Sequence, residues 1–491
     1  MVMNSMSALF PSGAMLIGTQ RIETSSGGVH VHVNPTTGKE QARVPLAGPA
    51  EMDEAVQAAR RAFLPWRDWP AAERRDVLAR IAASIRNHAG ELSAIATQEN
   101  GVPASFAEAL CGTLPAEFFT YYAGWVDKLE GAIVPLDPAR ALDYVLPEPY
   151  GVIAVVIPWN APLTSIGQKV APALAAGNTV VLKPPELAPF TSLRFAELCL
   201  EAGLPAGVLN VVPGGPEGGD ALVRHPGVDK ISFTGGGFTA RRVQAAAAES
   251  LTPLLLELGG KSANIVFADA DLDAAVAMAV QMGVAALSGQ GCVLPTRLLV
   301  ESSVYDEVVD EVVALSETLA VGDPFDAGTI MGPIVSAGHC QRIEGVIDRA
   351  RSEGSGRLLT GGARLGGDLA DGFFLPPTVF GEVDNRSHLA QEEIFGPVLS
   401  IIRFHTEEEA ITLANDTNYG LGAFLHTSDL RRAHRVVRRL DAGYVGVNGF
   451  PLVPPGTPFG GVKDSGYGRE GGRAGLMEFV RLKNVYLELG Q

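Results

Sequence analysis

Gly151-Val152-Ile153-Ala154-Val155-Val156-Ile157 opens the stretch that decides the fold. A β-branched run of this length, closed by Pro158, reads as a strand buried on both faces. Segment 166–176 then reads as helix, 178–182 as strand, 191–203 as helix, 207–212 as strand, 218–224 as helix and 229–233 as strand. Strands alternating with helices at this spacing predict a parallel sheet with right-handed crossovers. This is the dinucleotide-binding type of architecture, although no GxGxxG fingerprint follows the first strand.

After Glu257-Leu258-Gly259-Gly260-Lys261 the pattern restarts. Strands are expected over 262–267, 398–404 and 443–447, and helices over 271–287, 304–319, 343–352 and 406–415. Upstream, residues up to Pro45 read as short strands and turns, and 50–99 as amphipathic helices. Segment 105–128 reads as one helix whose aromatics (Phe118, Phe119, Tyr121, Tyr122, Trp125) pack against other helices. The tail, 482–489, alternates weakly and reads as an edge or pairing strand. The expected fold is therefore α/β, with two Rossmann-like parallel-sheet domains and a boundary near Gly259-Gly260.

Composition agrees. The 491 residues exceed one core, and 46% hydrophobic with 19% charged content is a globular balance. A net charge of −17 argues against nucleic acid and anionic membrane as partners. Cys111, Cys199, Cys292 and Cys340 form no CxxC pair, which suits a reducing cytoplasm and no structural metal. His30 and His32 alternate in a strand-like run and are expected on a solvated strand face, not at zinc. No basic, apolar leader opens the chain, and no uninterrupted apolar run reaches the ~18 residues of a spanning helix. A soluble, cytoplasmic protein is the expectation.

Chemistry enters through short motifs. Cys292 follows Ser288-Gly289-Gln290-Gly291 and precedes a strand-like run, so glycine holds open a loop that presents a thiol. Pro158-Trp159-Asn160 ends a strand of the first sheet, where an Asn amide can donate to an oxyanion. Lys183-Pro184-Pro185-Glu186 ends the next strand, where lysine and glutamate can grip ribose hydroxyls. Phe233-Thr234-Gly235-Gly236-Gly237 joins a strand to a helix N-terminus and suits a phosphate. Glu257 ends an apolar strand, which raises a carboxylate pKa toward that of a general base. Glu392-Glu393-Ile394-Phe395 and the glycine-rich loop at Phe459 complete the set. Taken singly, each has an ordinary reading: a core cysteine, a turn asparagine, a surface ion pair, a tight turn, a hinge, a helix end and a surface loop.

In this order, PWN at 158–160, KPPE at 183–186, FTG at 233–235, ELGGKS at 257–262, GQGC at 289–292, EEIFGPV at 392–398, NYGLGA at 418–423 and PFGG at 458–461 resemble the aldehyde dehydrogenase superfamily over nearly the whole chain. The resemblance implies Cys292 as nucleophile, Asn160 with the Cys292 N–H as oxyanion hole, and Glu257 as the base that activates water. Lys169 and Glu470 match proton-relay positions. Acylating relatives that use coenzyme A typically lack this glutamate, so a free acid is the expected product. The implied cofactor contacts are Ile157, Pro158, Trp159, Lys183, Glu186, Gly215, Thr234, Gly235, Gly236, Leu258, Glu393 and Phe395. Glu186 would repel a 2′-phosphate, so NAD is expected, with NADP possible. The resemblance also implies a dimer or tetramer. Its three parts are a cofactor domain (1–130 and 150–259), a catalytic domain (260–470) and a bridging element (131–149 and 471–491).

The sequence departs from the family at several positions. Gly236 stands where serine is usual, removing a hydroxyl, and Ala240 where glycine is usual, so looser cofactor binding is expected. Ala161, Gln168 and Gly291, with Phe459 opposite, suggest a roomy, somewhat polar pocket for a bulky or functionalised aldehyde. Two rival functions stay open: a cysteine-dependent esterase, and a cofactor-binding protein without turnover.

Overall fold

The computed structural model describes residues 10, 11, 13–137, 141–450 and 453–488. One sheet has eight strands in the order Gly466–Tyr467, Leu254–Glu257, Lys230–Thr234, Val152–Val156, Thr179–Lys183, Leu209–Val211, Met15–Ile17, Gln20–Ile22. Leu254–Glu257 through Leu209–Val211 run parallel, Gly466–Tyr467 and Met15–Ile17 run antiparallel to them, and Gln20–Ile22 pairs antiparallel with Met15–Ile17. The pleat explains the apolar run that opens the sequence argument. Ile153 and Val155 face a core shared with Ile166, Val170 and Leu174, while Val152 and Ala154 face Met52, Ala55 and Ala240. Each fully buried Val, Ile, Leu or Met among these contributes about 1.5–3 kcal/mol.

Chain order reverses between Val152–Val156 and Lys230–Thr234, which are neighbours in the sheet. The loops leaving these two strands turn to opposite sides and leave a crevice at their C-terminal ends. Register places Thr234 level with Glu257 across the next pair of strands.

A second sheet orders Arg357–Thr360, Thr378–Gly381, Val398–Phe404, Arg297–Glu301, Ala263–Val266, Gly422–His426 and Tyr444–Val447. All are parallel except Arg357–Thr360. The tail strand, Val480–Glu488, pairs antiparallel with Ala141–Pro149, which also holds Ala132–Val134. Leu489 of the expected tail strand lies outside the described residues, as do 138–140 and 490–491 of the expected bridging element.

Three expectations change. The helix expected over 105–128 is instead Ala104–Glu108, a π-turn Ala109–Thr113 and Leu114–Ala123. Pro115 has no N–H to continue the α ladder, and the wider turn absorbs the break. The helix expected over 271–287 is α-helical only for Leu272–Val280, followed by a π-turn Gln281–Ala285. The window Leu272–Gly289 is apolar enough to span a bilayer (mean hydropathy 1.5), but it is kinked at Leu287 and 61% buried. His32 is not solvated. In Val29–Val33 the histidines turn inward and the flanking valines outward, with His32 2% exposed and bonded to the Leu187 carbonyl at 2.9 Å. The strand packs on Phe190, and aromatic contact there outweighs hydration of the imidazole. Among the described residues, no group of His, Cys, Asp and Glu is placed to hold a metal.

Candidate active site

The crevice continues into a cavity of about 660 Å³ whose lining includes Cys292, Asn160, Glu257, Glu393 and Glu470. Loops converge on it from both sheets.

The cysteine loop is held by its own backbone geometry. Leu287, Ser288 and Gly289 all have positive φ (51°, 53° and 73°), which turns the chain sharply after the π-turn. Ser288 Oγ donates to the Gly332 carbonyl at 2.8 Å. The Gln290 amide donates to the Leu287 and Pro333 carbonyls (3.0 and 3.3 Å) and accepts from the Val335 N–H at 3.0 Å. A Cβ at Gly289 would lie 2.1 Å from the Gly396 carbonyl oxygen. Gly289→Ala is therefore expected to displace the loop, lower stability by about 1–3 kcal/mol and cut turnover. Urea unfolding and steady-state kinetics check this, and wild-type values in both would refute it.

Asn160 Nδ2 donates to the Gln290 carbonyl at 2.9 Å, which aims the amide at the cysteine loop and leaves a second N–H for a ligand. Asn100 Nδ2 steadies the preceding turn through the Trp159 carbonyl at 3.1 Å. The Cys292 thiol is partly exposed to the cavity. Burial, then the Glu393 and Glu257 carboxylates, push its pKa up to about 12. In this environment the thiol is protonated at neutrality and needs a base.

Glu257 is 3% exposed, and neither of its carboxylate oxygens has a hydrogen-bond partner. Desolvation, with the nearby Glu470 carboxylate, raises its pKa well above the usual range. The Gly460 backbone passes beside it, where a Cβ would lie 2.5 Å from Oε1. Lys169 is fully buried, ion-paired with Glu470 and bonded to Ser232 Oγ at 3.1 Å. Glu470 exchanges both backbone hydrogen bonds with Phe459 at 2.7 Å, so the same bridge positions a wall of the cavity and the buried carboxylate.

On the cofactor side, Glu393 Oε1 accepts the Gly260 N–H at 3.0 Å, and a Cβ at Gly259 would lie 2.0 Å from Oε2. Burial raises the Glu393 pKa to about 7. Phe395 has φ 57° and meets Trp159 edge-on at 5.3 Å. Helix Gly237–Ser250 begins at Gly236 with no side-chain cap, the Thr234 hydroxyl is buried without a partner, and a Cβ at Gly236 would meet nothing within 4 Å. Open N–H donors and an idle hydroxyl in an unobstructed cradle fit a pyrophosphate. Lys183 runs beneath Gly214 and Gly219, close to Gly215, and burial lowers its pKa against the pull of Glu186.

Of the residues expected here, Ile157, Lys169, Lys183, Glu186, Gly215 and Gly291 do not line the cavity. Ile157 is core, 3% exposed, Lys169 stands behind Glu470, and Lys183, Glu186 and Gly215 lie outside its walls. Gly291 does not widen the pocket: a Cβ there would strike Leu294 Cγ at 2.8 Å, so its small size serves that packing. Ala240 is 1% exposed in the core beneath its helix and does not face the cofactor cradle. Ala161, Gln168 and Phe459 do line the cavity. Sequence reasoning read Phe118 as helix–helix core and missed Leu110, Leu114 and Glu117 on the same face, and also His339 and Val453. The i, i+4, i+7, i+8 spacing of that face was legible. Which partner it faced was not.

The sequence profile of the aldehyde dehydrogenase family matches residues 22–485. The fold superposes on a Burkholderia cenocepacia protein assigned as an aldehyde dehydrogenase, with 41% identity, TM-score 0.95, and coverage of 97% of this chain and 98% of that one. It also superposes on PnpE from Pseudomonas sp. WBC-3, at 39% identity and TM-score 0.95, covering 97% and 98% of the two chains. A third similar structure is betaine aldehyde dehydrogenase from Staphylococcus aureus in complex with NAD+, at 35% identity and TM-score 0.96, covering 99% and 96%. A thiol, an amide and a buried carboxylate converging at the switch point of a doubly wound sheet define a cysteine-dependent enzyme of the dehydrogenase type. The chain belongs to the aldehyde dehydrogenase family.

Proposed function

We propose that the protein oxidises an aldehyde to its carboxylic acid with NAD as acceptor, through a thioester on Cys292. The observation that carries this reading is the convergence of Cys292, Asn160 and Glu257 on one cavity beside an open phosphate cradle. PnpE and the betaine aldehyde dehydrogenase have both been crystallised with NAD, which supports the choice of cofactor. Thr234, Gly235, Gly236, Lys183, Glu186 and Glu393 would hold it, and when bound it supplies the hydride acceptor.

Glu257 takes the thiol proton, and Cys292 Sγ adds to the aldehyde carbon. Asn160 Nδ2 and the Cys292 N–H donate to the oxygen that becomes negative. Oxidation leaves a thioester. Glu257 then takes a proton from water as it attacks, and the acid departs. The buried Lys169–Glu470 pair stands behind Glu257 to receive the proton. Asn160→Ala is expected to lower kcat by about 10²–10³ with a smaller change in KM, because the amide acts on charge that develops in the transition state. An equal loss confined to KM would refute that role.

Residues 1–130 with 150–259 would form the cofactor domain and 260–470 the catalytic domain, with 131–149 and 471–491 pairing subunits into a dimer or tetramer in the cytoplasm. A net charge of −17 supports a small-molecule substrate over nucleic acid or anionic membrane. A panel of aldehydes with NAD or NADP, followed by absorbance of the reduced cofactor, tests the activity. Silence there with brisk ester hydrolysis would favour an esterase. Silence in both with NAD still bound would favour a binding protein.

A further inference from the structure

One carboxylate lining the cavity, Glu117, has no part in the reaction or in cofactor binding. The cavity walls include Leu110, Leu114, Phe118, Val453 and Phe459, and the titratable lining is Cys292, His339 and four carboxylates: Glu117, Glu257, Glu393 and Glu470. Among the described residues, no lysine or arginine lines it. Burial lowers the His339 pKa to about 4, so the ring is neutral at physiological pH.

Glu117 differs from the other three carboxylates. Glu257 and Glu470 are buried at the base and Glu393 is bonded to Gly260, whereas Glu117 is exposed on helix Leu114–Ala123. It follows Leu114 and precedes Phe118 on the face that lines the cavity, so it stands at the mouth. Among the described residues its carboxylate has no hydrogen bond or ion pair.

We propose that the cavity selects aldehydes whose tail ends in a positive charge, with Glu117 facing that charge at the mouth and the apolar walls taking the intervening chain. This rests on the dehydrogenase reading and adds the substrate class to it. A cationic head meets the unpaired Glu117 carboxylate, while Phe118 and Phe459 belong to the apolar walls that take the chain. A carboxylate tail would meet Glu117, a like charge, with no lysine or arginine lining the cavity among the described residues to offset it. A neutral tail gains the apolar walls alone.

The test uses three aldehydes of one length: a trimethylammonium butanal, the analogue with carbon in place of that nitrogen, and the matching carboxylate. Expected kcat/KM falls in the order cation, neutral, anion, and the spread narrows with added salt. Glu117→Gln, a change between good helix formers on an exposed face, should lower kcat/KM for the cation by roughly 2- to 5-fold and leave the neutral aldehyde unchanged. Glu117→Lys should reverse the order of cation and anion. An anion oxidised as well as the cation, or a Glu117→Gln loss shared equally by the neutral aldehyde, overturns the proposal. Failure of even the neutral aldehyde to reduce NAD would instead overturn the dehydrogenase reading, and this proposal with it.

Discussion

Cys292→Ala is expected to abolish aldehyde oxidation while NAD still binds. The thiol is the only cavity-lining nucleophile of its kind among the described residues, since Cys111, Cys199 and Cys340 are buried elsewhere. Without Sγ no covalent adduct forms, and the loss should be at least about 10⁴-fold in kcat, the scale seen when a covalent nucleophile is removed. NAD binding, followed by quenching of protein fluorescence, should be retained because the strand ends and the helix start at Gly236 that form the cradle do not depend on the thiol. Residual turnover within tenfold of wild type would mean that Cys292 is not the nucleophile.

Glu257→Gln should slow both halves of the reaction, hydrolysis more than acylation. The substitution keeps the shape but removes the base, so the thiol must lose its proton to water, and the thioester, once formed, persists. A rapid-quench experiment should show at most one equivalent of reduced cofactor per site, then a steady rate lower by about 10²–10⁴. Intact-protein mass spectrometry should find the acyl group on Cys292. The pH dependence has a definite sign. Glu257 works as a base only when ionised, and burial raises its pKa, so wild-type deacylation rises with pH through that raised value. The variant should lose that limb of the profile. A full steady-state rate in Glu257→Gln would mean that another base operates.

Much of the architecture was legible because both sheets are buried on two faces, and burial writes itself as apolar runs such as 151–157 and 398–404. The observed strands there, Val152–Val156 and Val398–Phe404, fall within a residue of the expected bounds. Less was legible where a backbone departs from regular periodicity. A π-turn adds one residue to a helical turn without changing composition, so the breaks at Ala109–Thr113 and Gln281–Ala285 left no trace in hydropathy. His32 was misplaced because alternation shows that two faces differ but not which one is covered.

The sequence alone determined which chemistries are present: a thiol on a glycine-held loop, an amide and a carboxylate at strand ends, and a glycine-rich start to a helix. These depend on residue type and local punctuation, which a linear chain carries. Only the tertiary structure decided which groups meet and in what state. Glu257 becomes a high-pKa base because desolvation and Glu470 act through space. Gly291 turns toward Leu294 and away from the cavity, and the helix that carries Phe118, read as packing on other helices, also lines the cavity through Leu114 and Glu117. Those outcomes come from non-local packing, in which residues far apart in the chain share one dielectric environment.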